Sequence, residues 1–117
     1  MLLDTATRSL VITLGENQTS APFAVSCAFE DTIQLKVTPT QQETAITDTA
    51  DHTVVNSPAN NTARSIKEII LMNGDTVTHN VVLSLKDGGT KYMLWKGAIT
   101  AGKMVQYSQG YGFFVGP

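Results

Sequence analysis

Two histidines, one cysteine and a scatter of carboxylates are the side chains of this 117-residue chain that could do chemistry. Hydrolytic or metal-assisted catalysis needs such groups in a working arrangement, either a nucleophile beside a base or ligands at metal-binding spacing. Neither pattern is legible. His79 lies between Val77 and Val81 on the inward parity of a strand-like run and reads as a structural histidine. His52 stands beside Asp48 and Asp51 in a polar stretch, where a contact, a cation or plain solvent would each suit it. Asp75 and Asp87 adjoin glycines and read as turn formers. Cys27 shares its parity with Phe23, Val25 and Phe29, which marks it as a small buried hydrophobe rather than a nucleophile. No nucleophile elbow, phosphate loop or dinucleotide fingerprint occurs. The expectation is a protein that is not an enzyme, with no catalytic residue, metal or cofactor. The aromatics Tyr92, Trp95, Tyr107, Tyr111, Phe113 and Phe114 could stack on sugars or bases, although alternating aromatics in strands usually belong to a core. Trp95 and Phe114 fall off the parity of their apolar neighbours, so they are candidate exposed anchors at a protein interface.

The elements that must position these groups are strands. Leu10, Ile12 and Leu14 alternate in one run, Phe23, Val25, Cys27 and Phe29 in a second, and Ile33, Leu35 and Val37 in a third that Pro39 closes. Glu30-Asp31 offers a tight connection or a bulge between the second and third. Ile66 to Met72 is apolar on both parities, with Ile69 and Leu71 on one and Ile66, Ile70 and Met72 on the other, as expected of a central strand or one covered by a partner. Val77 to Leu85 alternates cleanly between Asn73-Gly74-Asp75 and Asp87-Gly88-Gly89, clusters that can reverse the chain between antiparallel strands. Lys91 to Trp95, Met104 to Tyr107 and Tyr111 to Val115 complete the series. Short strands at this spacing, with glycine-rich turns and no helical period, predict a single all-β domain, an antiparallel β-sandwich of jelly-roll or Ig-like type.

Between residues 40 and 63 the composition shifts to Thr, Gln, Asn, Asp and Ala. The pattern predicts a long polar loop or arm in the middle of the chain, with Thr53-Val54-Val55 as a possible short strand. Ile46, His52, Val54 and Val55 within it are candidate contacts to a neighbour, and a crossover between the two sheets is the alternative role for the segment.

Composition bounds the partners. Charged residues make up 15% of the chain against roughly 25% in ordinary soluble domains, and a weakly charged surface suits packing against other subunits. A net charge of −2 provides no basic footprint for nucleic acid. Residues 1–63 carry two basic and seven acidic side chains and residues 64–117 carry six and three, a polarity able to orient neighbouring copies. Met1-Leu2-Leu3-Asp4 has neither a basic nor an apolar leader region, and no apolar run approaches membrane-spanning length. The expectation is a soluble protein made in a reducing cytosol, with no membrane partner.

The run IKEIILMNGDTVTHNVVL from Ile66 to Leu83, followed by Asp87 to Tyr92, Ala101 to Tyr107 and Gly110 to Phe113, resembles a pattern in small virion proteins of tailed bacteriophages. Ser9 to Gly15 is similar too, while the middle segment lies outside the resemblance. The resemblance implies a β-sandwich structural protein of a phage particle, assembled in the host bacterial cytoplasm. On this reading the chain is a capsid decoration or cement protein that forms homo-oligomers and bridges major capsid subunits. A tail, neck or fibre component, such as a carbohydrate-binding module for the host surface, is the alternative.

Overall fold

The computed structural model describes residues 1–116. Ten strands run in the order β1 Leu2–Leu3, β2 Arg8–Leu14, β3 Phe23–Ile33, β4 Lys36–Ile46, β5 His52–Val55, β6 Ala63–Asn73, β7 His79–Asp87, β8 Thr90–Ile99, β9 Met104–Ser108 and β10 Gly112–Gly116. They form two antiparallel sheets, β10-β9-β6-β3-β4 with β1 added beside β6, and β5-β2-β7-β8. The sheets pack face to face as the β-sandwich that the alternation predicts. Hairpins β3–β4, β7–β8 and β9–β10 stay within a sheet, and the other connections cross between sheets. The Asn73-Gly74-Asp75 turn is one of the crossings, so it carries the chain from sheet to sheet rather than closing a hairpin.

Leu10, Ile12 and Leu14 of β2, Phe23, Val25, Cys27 and Phe29 of β3, and Val81 and Leu83 of β7 meet in one core, as their parity requires. In β6 the register slips between Ala28 and Phe29 of β3, leaving Lys67 as an extra residue. That bulge switches parity, so Ile66 joins Ile69 and Leu71 in the core while Ile70 and Met72 remain on the outer face.

The acidic pair Glu30-Asp31 does not turn the chain. Asp31 lies directly across from Arg64 and takes a bidentate pair from it at 2.8 and 3.0 Å, and Glu30 pairs with Lys67 at 3.3 Å. The Arg64 guanidinium also sits 4.4 Å from the centre of the Phe29 ring and donates to the Asn56 carbonyl. With their charges matched across the ladder, both acids stay in strand, and the reversal falls at Gln34-Leu35. Pro39 likewise does not end a strand, because it sits in β4 at the sheet edge, where a missing N–H is tolerated.

The segment 40–63 is not a long loop. Its first seven residues complete β4, which pairs with β3 along its whole length, and His52–Val55 forms β5 against β2. Only 47–51 and 56–62 connect strands. An edge strand needs no outward apolar side chains, so its Thr- and Gln-rich composition hid it. Ile46, Val54 and Val55 are fully buried core residues and are therefore unavailable as contacts to a neighbour. Ile46→Ala is expected to lower unfolding free energy by about 2–5 kcal/mol in urea titrations, whereas an arm residue would register almost nothing.

Candidate functional site

One polar cluster and two apolar rims stand out. The cluster is built where β2–β3 and β6–β7 cross between sheets at the same end of the sandwich. Asp75, buried, accepts the backbone N–H groups of Thr19, Ser20 and Thr76 at 2.8 Å each and of Ala21 at 3.3 Å. The Ser20 hydroxyl and His79 Nε2 complete its shell at 3.0 and 2.9 Å. Because a carboxylate only accepts, Nε2 is the protonated nitrogen of that pair. His79 is fully buried with its ring edge-on to Phe23, and its Nδ1 faces Glu16 at 3.5 Å without a hydrogen bond. Glu16 is held instead by the backbone and side-chain amides of Asn80. Beside them Asn73 donates to the carbonyls of Val77 and Ile99 and accepts from the Asp75 N–H.

These contacts set the electrostatics. The Thr19 N–H, with help from His79 and the Ser20 and Thr76 amides, outweighs burial and holds the Asp75 carboxyl well below the usual carboxylate range. The Asn80 amides, with His79 nearby, lower Glu16. Asp75 and His79 are both buried, the Ser20 hydroxyl beside them is bonded to the carboxylate and not to the imidazole, and the pair fastens the loops. His79 is the structural histidine that its parity predicts, but Asp75 is more than a turn former. Its role was invisible in sequence because the donors from the other crossing, Thr19, Ser20 and Ala21, lie more than fifty positions away. Cys27 is likewise a core residue, its thiol pushed up to about 12 by burial and then by Glu43, which leaves no reactive thiolate. Among the described residues no group of three or more His, Cys, Asp or Glu side chains is arranged to hold a metal ion.

Of the candidate contact residues, His52 is partly buried and fastened to Asp48 at 2.7 Å. The neighbouring Asp51 accepts from Thr13 and from Lys91 of β8 at 2.9 Å. The pair thus ties the segment before β5 to β8 across the outer face of the β5-β2-β7-β8 sheet, the face on which Val11 and Ser84 are paired. Trp95 is not a free anchor, since its ring stacks on Phe113 at 6.1 Å, and Phe113 in turn meets Tyr107 at 5.0 Å. This aromatic contact joins edge strand β8 to edge strand β10. Phe114, on the other face of β10, is exposed.

Exposed apolar side chains gather at two places. Tyr92, Met93 (63% exposed) and Leu94 are exposed on edge strand β8, and Phe114 and Val115 (74%) on edge strand β10. At the opposite edge the β3–β4 hairpin projects Ile33, Val37 and a completely exposed Leu35 at its tip, next to Gln34 in a positive-φ conformation. An open recess of about 560 Å³ lies at the root of that hairpin between Ala28, Phe29, Pro39, Gln41 and Lys67. Sequence parity missed most of these residues because exposure depends on which strands are edges. No family model, curated protein or solved structure matches the chain.

Two outcomes follow from the cluster and the stack. A carboxyl lowered on folding stabilises the fold above its unfolded value, and that gain is lost as pH falls. The urea midpoint of Asp75→Asn should therefore lie far below that of the parent at pH 7, with the gap narrowing as pH drops below about 4. A methyl group at Gly97 would stand 2.8 Å from Trp95 Cζ2. Gly97→Ala is expected to shift Trp95 off Phe113, read as a red shift of tryptophan emission in a protein that remains folded.

Proposed function

We propose that this chain is a non-enzymatic structural subunit of a phage particle, a decoration or cement protein that stabilises the head by bridging major capsid subunits. The observation that carries the reading is the gathering of exposed apolar side chains on opposite edges of one sandwich, Tyr92, Met93, Leu94, Phe114 and Val115 on one and Ile33, Leu35 and Val37 on the other. Large apolar side chains left exposed on particular strands of an otherwise polar surface suit contact with a partner. The resemblance of residues 66–115 to small virion proteins supplies the kind of assembly, and the low charge suits dense packing.

The mechanism is mass action. Copies that bind the assembled shell and not its free subunits lower the free energy of the shell alone. Apolar rims supply the contact, and the sandwich holds them apart so that one copy can span a junction. A place in the neck, tail or fibre is the second reading, favoured by exposed Tyr92 and Tyr111, which could stack on a host glycan. Mass spectrometry and cryo-EM of purified particles decide. The protein is expected in many copies over head junctions, and heads assembled without it should release DNA at a lower temperature. Particles that lack it altogether would overturn the proposal, and a few copies at the tail would move it to the second reading.

A further inference from the structure

We propose that His79 is a proton-operated latch: on taking up a second ring proton it closes on Glu16 and draws the β2–β3 connection onto the start of β7. The observation behind it is a buried atom without a partner. His79 Nε2 is committed to Asp75 at 2.9 Å, while Nδ1 is shut off from solvent and makes no hydrogen bond. It faces Glu16 Oε1 at 3.5 Å.

Two carboxylates flank the ring, Asp75 from the β6–β7 crossing and Glu16 from the β2–β3 connection. β3 contributes Phe23, edge-on, and β8 contributes Ile99 directly across the ladder from His79, neither of them charged. No other carboxylate lies within ion-pairing distance of the ring among the described residues. In the neutral ring the bare Nδ1 faces an anionic oxygen and no donor reaches it, which costs free energy in a buried place. With a proton on Nδ1 the same geometry turns favourable, because an imidazolium held between two carboxylates donates to both.

Glu16 is placed to accept. Its Oε1 takes the Asn80 N–H at 2.9 Å, and a carboxylate oxygen has room for a second donor. The side chain is 40% exposed, so it is free to close from 3.5 Å to the roughly 2.8 Å of a charge-assisted hydrogen bond. The Asn80 amides lower the Glu16 carboxyl and the Thr19 N–H lowers that of Asp75, so both stay anionic where an imidazole titrates. Closure reaches beyond one side chain, because the same connection sends the Thr19, Ser20 and Ala21 N–H groups to Asp75 and the Gln18 N–H to the Thr47 carbonyl. The added hold is present at the acid end of the imidazole range and is lost as pH rises.

NMR of the full chain between pH 8 and pH 5, the range in which histidine changes charge, tests the latch on the parent and on Glu16→Gln, with circular dichroism confirming that both stay folded. In the parent, the nitrogen resonance of His79 Nδ1 should move from that of a bare ring nitrogen to that of an N–H. Protection factors of the Gln18 and Asn80 amides against hydrogen exchange should rise together with it by about tenfold, the size of one charge-assisted hydrogen bond. Glu16→Gln should lose most of that rise, since a neutral amide attracts an imidazolium weakly. His52 is common to both proteins, so its own titration cancels in the comparison. The latch is overturned if Nδ1 stays bare across the range in a folded parent, if it gains its proton without added protection, or if Glu16→Gln keeps the full rise.

Discussion

A single buried carboxylate organises one end of this molecule. The chain crosses between sheets at both β2–β3 and β6–β7, and each crossing presents backbone N–H groups that no ladder satisfies. Buried without acceptors, such groups cost free energy comparable to lost hydrogen bonds. Asp75 gathers four of them, together with a hydroxyl and the His79 ring, around one anion. An anion suits the place because every neighbour is a donor. The two sheets are thereby fastened where β3, β6 and β7 begin or end, and the alternating side chains of those strands meet in register.

The sides are closed differently. Trp95, Phe113 and Tyr107 wedge β8 to β10, and aliphatic residues of β4 and β5 fill the other flank. The Lys91–Asp51 pair ties the segment before β5 to edge strand β8. Besides two-residue β1, four strands are left as edges, each with a feature that discourages indiscriminate pairing. β5 and β10 are short, β4 contains Pro39 and β8 is bulged at Leu94. Apolar side chains nevertheless remain along β8, β10 and the β3–β4 tip.

Much of this was legible in the residues themselves. Strand parity located the cores of β2, β3 and β7 and the inward direction of Cys27 and His79, because a strand alternates its side chains whatever it pairs with. Parity failed at Ile66, where the bulge at Lys67 inverts it, and at Glu30-Asp31, whose charges are matched by Arg64 and Lys67 from another strand. It failed again over 40–63, where an edge strand kept its polar composition and concealed the burial of Ile46, Val54 and Val55. Trp95 looked like an anchor because it falls off the parity of Tyr92 and Leu94, but the bulge at Leu94 turns it inward opposite Leu83 and onto Phe113.

The sequence by itself therefore determined the class of fold and which face of most strands turns inward, since both follow from a period of two that each strand carries locally. Which strands became edges, which carboxylate became the fastening at Asp75 and which apolar side chains were left at the rim were decided only by the tertiary structure. Those properties belong to pairs of residues tens of positions apart, and no local pattern records whether a strand will find a neighbour on both sides.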